Sequence, residues 1–148
     1  MTYLCITKQI NMKNLFKALA DFQQECPVIH KDSQAHKYTY ADIPKIYEVI
    51  NPLLKKHSLG FTQPLQDGGI RTIVFHIPSG ETLESFTPIP LVSMNGMNDY
   101  QAYGSGITYF RRYAISSILG LVTDKDTDAQ GSQVGTAKSI SAPSKDFF

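Results

Sequence analysis

The sequence predicts an α+β fold in which a three-stranded antiparallel β-meander is packed by helices. Residues 59–91 form three short runs rich in β-branched and aromatic side chains, and turn residues separate these runs. Residues 100–120 instead carry apolar side chains at steps of three and four, which is the spacing of one helix face. Two shorter helical segments precede the strands. The expected order is therefore two helices, three strands and a long helix, followed by a tail without apolar periodicity.

Composition narrows the class of protein further. A chain of 148 residues, 42% of them hydrophobic, is long enough to bury the core of one domain. No apolar run approaches the roughly 18 residues that a membrane-spanning helix requires, and the first residues do not resemble a secretory signal. Cys5 and Cys26 are too few and too irregularly placed for a disulfide framework or a zinc site. We therefore expect a soluble cytoplasmic protein with reduced thiols and no membrane contact.

The first predicted helix covers residues 11–25. Leu15, Leu19 and Phe22 recur at helical spacing in this segment, and Pro27 ends it. The segment is therefore predicted to be an amphipathic helix whose apolar side packs on the rest of the domain.

The second predicted helix begins at Asp42, whose carboxylate is a typical helix N-cap. Its expected buried face is made of Ile43, Ile46, Ile50, Leu53 and His57. Pro52 lies inside the segment, and an interior proline removes a backbone hydrogen bond at a cost of about 3 kcal/mol. We therefore expect either a kink at Pro52 or a last turn restarted from Asn51.

Three strands are predicted at residues 59–66, 70–77 and 81–91. Asp67-Gly68-Gly69 lies between the first two strands, and Pro78-Ser79-Gly80 lies between the second and the third. Both are strong hairpin signals. Because a hairpin joins antiparallel neighbours, the three strands are expected to form a meander.

The long helix is predicted to have one apolar and one polar face. The apolar face is made of Tyr103, Ile107, Phe110, Ala114, Ile118 and Leu121. The polar face is made of Gln101, Ser105, Thr108, Arg112 and Ser116. The helix should therefore pack on the sheet through the first set and expose the second set to solvent.

Two arginines and two tyrosines near the middle of this helix are candidate binding residues. Arg111 and Arg112 are adjacent and so lie about 100° apart around the helix, a spacing that can hold two points of a phosphodiester chain. Tyr109 and Tyr113 lie one turn apart beside them. The alternative is that both arginines are only solvated and that both tyrosines are half-buried core residues.

Two blocks of the sequence resemble one known family. GSGITYFRRYAISSILGLVTDKDTD contains a small-residue turn, a TYxRRY-type core, a Leu-Gly end and an acidic run. YTYADIPKIYEVINPLLKKHSLGF contains an aromatic pair, an Asp-started helix, a Pro-Leu-Leu and a His-x-Leu-Gly exit. Together they span residues 38–128 and resemble the essential recombination function family of phage single-strand annealing proteins. More remotely, the chain is similar to the eukaryotic ring-forming annealing protein, whose core is a three-stranded hairpin sheet packed by a long helix.

The resemblance implies an ATP-independent protein that anneals single-stranded DNA and acts as a homo-oligomeric ring or filament. It extends a DNA-binding role to Arg111 and Arg112 directly, because these positions match the family motif. The net charge of +1 means that other positive charge must be locally concentrated. We extend the DNA path through the remaining basic candidates, Lys45, Lys55, Lys56 and Arg71. Tyr109 and Tyr113 are expected either to stack on bases or to brace the arginines.

The domain organisation is expected to be a core and a tail. Residues 1–122 are predicted to form the annealing and DNA-binding core, and residues 123–148 an acidic and then polar tail that is disordered in isolation. The last four residues, KDFF, resemble the tips with which bacterial single-strand DNA-binding proteins recruit partners. A phage exonuclease and a host single-strand DNA-binding protein are therefore candidate partners.

Sequence motifs for catalysis are absent. The chain has no G-x-x-x-x-G-K-S/T phosphate loop, no HExxH and no GxSxG. We accordingly expect a protein that is not an enzyme and that needs no metal or cofactor. Three alternatives stay open: a single-strand DNA-binding protein that protects without annealing, a small nuclease with a metal at Asp124, Asp126 and Asp128, and a structural protein that binds no nucleic acid.

Overall fold

A computed structural model describes residues 11–30, 41–91 and 95–123 of the chain. The elements within these ranges are α1 (Lys13–Glu25), α2 (Ile43–Lys56), β1 (Leu59–Thr62), β2 (Leu65–Gln66), β3 (Gly69–His76), β4 (Thr82–Pro88) and α3 (Asp99–Leu119). The predicted α+β class, with an antiparallel sheet and a long final helix, is confirmed. Cys5 and the predicted tail from residue 124 onward lie outside the described ranges. None of the helices within these ranges combines the length and hydropathy that crossing a lipid bilayer requires.

The central strand of the sheet is β3. It pairs with β4 along one edge and with both β1 and β2 along the other, always antiparallel. The sequence predicted one strand over residues 59–66, but Gln63 and Pro64 interrupt it between β1 and β2. Proline lacks the N–H that a ladder requires, whereas its carbonyl oxygen accepts a hydrogen bond of 3.0 Å from the Arg71 N–H. The register with β3 is the same on both sides of the interruption, so Gln63 lies opposite Thr72 and shares its face of the sheet.

Both predicted hairpin turns are confirmed. Gln66 pairs with Gly69 across Asp67 and Gly68, whose φ angles of 50° and 73° are the positive values that a two-residue type I′ turn requires. In the second turn Gly80 also has a positive φ, of 70°. Because each turn sets the pairing of the strands beside it, these two turns determine the register of the sheet around β3.

The helices pack on one face of the sheet and form the core with it. Leu59 and Val74 are the buried sheet residues of this core. Leu59 pairs with His76, two residues from Val74, so both side chains point to the same face. The buried helix residues of the core are Leu15, Ala18, Leu19, Phe22, Ile46, Ile50, Leu54, Ile115 and Leu119. The predicted apolar faces of α1 and α2 therefore meet over the sheet, with α3 packed beside them.

The other face of the sheet places two phenylalanine rings over two glycines. A Cβ atom at Gly60 would lie 2.5 Å from the Phe75 ring. A Cβ atom at Gly69 would lie 2.6 Å from the Phe86 ring and 2.5 Å from the Thr87 carbonyl oxygen. Close contact, rather than an unusual backbone angle, therefore requires glycine at both positions.

The first turn of α1 is capped by a residue distant in the sequence. Met12 is the N-cap residue, and its side chain makes no capping hydrogen bond. Glu81, in the turn between β3 and β4, accepts a hydrogen bond of 2.7 Å from the Leu15 N–H and one of 3.3 Å from Asn14 Nδ2. The Ser79 hydroxyl donates to the same carboxylate at 2.9 Å. Desolvation raises the pKa of Glu81, but these hydrogen bonds outweigh it and hold the pKa below its ordinary value.

The N-cap of α2 is the predicted one. Asp42 Oδ1 accepts a hydrogen bond of 3.1 Å from the Lys45 N–H. The helix continues through Pro52 to its last turn, so the restart from Asn51, one of the two expected outcomes, does not occur. Leu54 in that last turn is buried in the core, and its packing offsets the hydrogen bond that the proline removes.

The long helix α3 is turned about one residue further around its axis than the sequence predicted. Its buried residues are Ala102, Arg112, Ala114, Ile115 and Leu119. Of the predicted apolar face only Ala114 is fully buried, and the half-buried members are Tyr103, Ile107, Phe110, Ile118 and Leu121. One residue corresponds to about 100° of rotation. Arg112 therefore lies on the buried side of the helix, and its assignment to the polar face was wrong.

Candidate nucleic-acid interface

Arg111 is half-buried on α3 and is held by an uncharged partner. Its Nη2 donates a hydrogen bond of 3.0 Å to the Tyr47 hydroxyl oxygen on α2. Among the residues that the structure describes, no carboxylate lies within 4.0 Å of the Arg111 guanidinium. Because a phenol is neutral, Arg111 keeps its full positive charge for an anion outside the protein.

Tyr47 and Arg111 belong to a polar network that joins both helices to the sheet. The Tyr47 hydroxyl donates to Gln63 Oε1 at 3.3 Å. Gln63 Nε2 in turn donates to the Thr72 hydroxyl at 3.1 Å and to the Arg111 carbonyl oxygen at 3.2 Å. Gln63 comes from the interruption between β1 and β2, and Thr72 is fully buried on β3. One glutamine therefore contacts both the backbone of Arg111 and the hydroxyl that holds its side chain.

Arg112 packs its guanidinium against two tyrosines of the same helix. Its Cζ lies 5.2 Å from the ring centroid of Tyr109 and 5.1 Å from that of Tyr113. Arg112 is 8% exposed, while Tyr109 and Tyr113 are 44% and 41% exposed. Cation–π contacts strengthen when the cation is shielded from water. Of the two expected roles of the tyrosines, the bracing of an arginine is present, and both rings also have solvent-exposed surface.

The lysines of the predicted DNA path differ in their partners. Lys45 Nζ lies 3.2 Å from Glu48 Oε2, and Lys56 Nζ lies 2.8 Å from Glu25 Oε2. The hydrogen bond from Lys56 lowers the pKa of Glu25, so this carboxylate is ionised at neutral pH. Lys55 is exposed and has no ion-pair partner among the described residues. Two of the three lysine charges are thus compensated by carboxylates of the same chain.

Arg71 is paired and lies on the opposite face of the sheet. Its Nε donates to Glu84 Oε2 at 2.9 Å, its Nη2 contacts the same oxygen, and its Nη1 donates to Gln66 Oε1 at 3.4 Å. Successive residues of a strand point to opposite faces, so Arg71 and Thr72 of β3 point apart. Arg71, Glu84 and Phe86 line a groove of about 420 Å³ on that face. The structure brings Arg112, Tyr109 and Tyr113 together. Arg111 is two positions from each tyrosine, so it lies on the other side of α3, toward Tyr47, and Arg71 lies behind the sheet.

Sequence reasoning did not select Tyr47, Gln63 or Thr72. Pro64 inside a predicted strand was the one available signal, because proline in a strand marks an edge or a break in the ladder. Nothing in the sequence indicates the contact between Tyr47 and Arg111, since 64 positions separate the two residues. The network could therefore be found only from the folded structure.

The described residues contain neither a metal site nor an activated thiol. Within residues 11–30, 41–91 and 95–123, no group of three or more histidine, cysteine, aspartate or glutamate side chains could hold a metal ion. Cys26 is partly buried, and burial raises the pKa of its thiol, which keeps it protonated and unreactive at neutral pH. The nuclease alternative rests on Asp124, Asp126 and Asp128, which lie outside the described residues.

The described elements place two arginines and two tyrosines on the long helix α3 of an antiparallel α+β fold. The sequence model of the ERF superfamily matches residues 15–146. The chain therefore belongs to the ERF superfamily, as the two sequence blocks predicted. Membership supports an annealing-type function in phage recombination. No curated protein and no solved structure was found to match the chain.

Proposed function

We propose that this protein anneals complementary single strands of DNA without ATP, through a surface centred on Arg111. The observation that supports this site is the environment of Arg111. Its guanidinium is fixed by a neutral phenol and has no carboxylate partner among the described residues, on the helix that carries the family motif. An arginine in this state can bind a phosphate without first breaking an internal ion pair.

Annealing requires that the repulsion between phosphates be reduced while base edges stay accessible. Arg111 binds the backbone of the strand in this proposal. Tyr109 and Tyr113 lie on the other side of α3 from Arg111, and their exposed surfaces stack on bases or sugars where the strand crosses the helix, an interaction worth about 1–3 kcal/mol per base. Arg112 contributes positive potential from behind the two rings. The strand is thus held by its backbone and a few bases, and its other base edges face solvent for pairing.

The remaining basic residues contribute unequally to the proposed path. Lys55 is exposed, without an ion pair among the described residues, and is the best placed to extend the path along α2. Lys45 and Lys56 contribute where a phosphate displaces their carboxylate partners. Arg71 is directed to the opposite face of the sheet and contributes least.

The active form in this proposal is a homo-oligomeric ring or filament. A net charge of +1 gives each chain a small basic surface, whereas repetition of Arg111 around an assembly produces a continuous track. Residues 1–122 form the DNA-binding core, and the tail of residues 123–148 recruits a phage exonuclease or a host single-strand DNA-binding protein. The protein acts in the cytoplasm of a bacterial host.

The test is fluorescence-monitored annealing of two complementary oligonucleotides without any nucleotide triphosphate, with strand integrity followed on gels. The native protein should accelerate pairing, and Arg111→Ala should lose most of the acceleration. Lys17→Ala is the control, because it removes an exposed cation that pairs with Asp21 on α1 rather than a cation of α3. Binding without acceleration would instead identify a protective protein, strand degradation a nuclease, and absence of binding at low salt a protein without a nucleic-acid role.

A further inference from the structure

We propose that Tyr47 and Gln63 are positioning residues for DNA binding, which hold the Arg111 guanidinium in its binding direction without neutralising it. The inference rests on the proposed function and assigns a role to two residues outside the family motif around Arg111. Neither residue needs to touch DNA. Both act through Arg111.

The first argument is the closed path of hydrogen bonds. Arg111 Nη2 donates to Tyr47, Tyr47 donates to Gln63 Oε1, and Gln63 Nε2 donates back to the Arg111 carbonyl oxygen. The distances along this path are 3.0, 3.3 and 3.2 Å. A second bond of 3.1 Å from Gln63 Nε2 to Thr72 fixes the amide against the central strand. The orientation of the Arg111 side chain is therefore determined by α2 and the sheet as well as by α3.

The second argument concerns charge. Arg71, on the other face of the sheet, is held by the carboxylate of Glu84, so its positive charge is compensated within the protein. Arg111 is held by a phenol and an amide, which are neutral under ordinary conditions. A neutral holder restricts the long arginine side chain before DNA binds, and it leaves the charge available for a phosphate. Arg71 is therefore neutralised by an ion pair within the fold, whereas Arg111 is oriented without being neutralised and can bind a phosphate.

The third argument is the position of Gln63 in the sheet. The strand assignment is interrupted at Gln63 and Pro64, but β1 and β2 keep the same register with β3 on either side. Gln63 therefore lies opposite Thr72 on the face that the helices cover, and its amide donates to the hydroxyl of the fully buried Thr72. Tyr47 is anchored separately, by an edge contact of its ring with Phe61 at 5.4 Å between centroids. The Tyr47 ring thus packs against the core, and its hydroxyl can still accept the hydrogen bond from Arg111.

The experiment is a double-mutant cycle between Tyr47→Phe and Arg111→Ala, read as affinity for a labelled single-stranded oligonucleotide in the full-length protein. Tyr47→Phe keeps the ring contact with Phe61 and removes only the hydroxyl. We expect it to weaken binding about threefold to tenfold in the native background, the effect of one positioned hydrogen bond. In the Arg111→Ala background it should have no effect. Tyr100→Phe, at the exposed start of α3, is the matched control and should leave affinity unchanged.

A second variant covers the case in which Tyr47→Phe does not fold. Gln63→Glu keeps the shape of the side chain and places a carboxylate against the Tyr47 hydroxyl, which itself contacts the Arg111 guanidinium. It should lower the salt slope of binding by roughly one phosphate contact, because Arg111 is now compensated. Gln66→Glu adds the same charge on the opposite face of the sheet and should leave the slope unchanged.

The outcomes separate the two proposals. If Arg111→Ala weakens binding but Tyr47→Phe acts equally in both backgrounds, or Gln63→Glu leaves the slope unchanged, the positioning role is wrong and the Arg111 site stands. If Arg111→Ala changes neither affinity nor slope, both proposals fail. A Tyr47→Phe effect that disappears without Arg111 would establish the positioning role, because a loss of general stability would act in both backgrounds.

Discussion

Arg111 and Arg112 are neighbours in the sequence, yet their replacement by alanine should have different consequences. Arg111→Ala removes a cation without a carboxylate partner among the described residues, so the salt dependence of single-strand binding should weaken. One lost phosphate contact lowers the slope of log affinity against log salt concentration by about 0.7 for single strands. Over a fourfold change in salt, between ~50 and ~200 mM, this difference amounts to about 2.6-fold in affinity. The stability of the domain should change little, since only one partly buried hydrogen bond, to the Tyr47 hydroxyl, is lost.

Arg112→Ala should instead destabilise the domain. It removes a cation covered by Tyr109 and Tyr113, together with the packing of its aliphatic stem. A cation–π contact contributes about 0.5–1 kcal/mol at exposed sites and about 2 kcal/mol when desolvated. The free energy of unfolding should therefore fall by about 1–3 kcal/mol for the two contacts. The salt slope of binding should stay near that of the native protein.

The two effects are measured by urea unfolding and by fluorescence anisotropy of a labelled oligothymidylate at several salt concentrations. Lys17→Ala serves as the control for removal of a surface cation. The reasoning would be refuted if Arg112→Ala lowered the salt slope as much as Arg111→Ala and left the free energy of unfolding unchanged. Arg112 would then contact a phosphate directly, and its packing against Tyr109 and Tyr113 would not contribute to the stability of the domain.

Three further predictions follow from particular contacts. Gly69→Ala should lower the free energy of unfolding in urea by about 1–3 kcal/mol, because its Cβ would meet the Thr87 backbone. Gly60→Ala should lower it less, because the Phe75 ring can turn away. Equal losses in the two variants would contradict this reasoning. Glu81→Gln should lower the melting temperature at pH 7. Since the folded pKa of Glu81 is depressed, its stabilisation is present above the unfolded pKa of about 4.3 and is lost as the pH falls through the folded pKa. The native and variant melting temperatures should thus converge as the pH is lowered, and a constant gap would argue against the cap. Replacing Tyr109 and Tyr113 together by leucine should weaken single-strand affinity about tenfold without changing the salt slope, as measured by anisotropy; a changed slope would indicate that phosphate contacts had been lost instead.

The features that could be predicted from the sequence depend on residues close together in the chain. Asp67 and Gly68 define a hairpin because both tolerate the positive φ that the turn needs. Asp42 caps its helix through a hydrogen bond to a backbone N–H three residues later. The family blocks around Arg111 likewise depend on local motifs. Element types and the position of the long helix follow from such short-range chemistry.

The features that could not be predicted depend on long-range packing. Arginine has an apolar stem and a charged end, so hydrophobic periodicity alone does not show that Arg112 turns to the buried side of α3. The contact between Arg111 and Tyr47 joins two helices through residues far apart in the chain. Pro64 signalled a break in the first strand, but not that Gln63 would contact Arg111. The sequence thus proposed the candidate residues on α3, and the contacts of Arg111 and Arg112 could be found only from the fold.

The hydrogen bond between Glu81 and the start of α1 has a consequence for the order of folding. The two residues it joins are 66 positions apart, whereas the hairpin that carries Glu81 closes over a short loop. Short loops lose less entropy on closure and therefore form earlier. We therefore expect the first turn of α1 to be completed only after the hairpin has formed. By the same reasoning, loss of the Glu81 bond should free this first turn, while Leu19 and Phe22 keep the rest of the helix in the core.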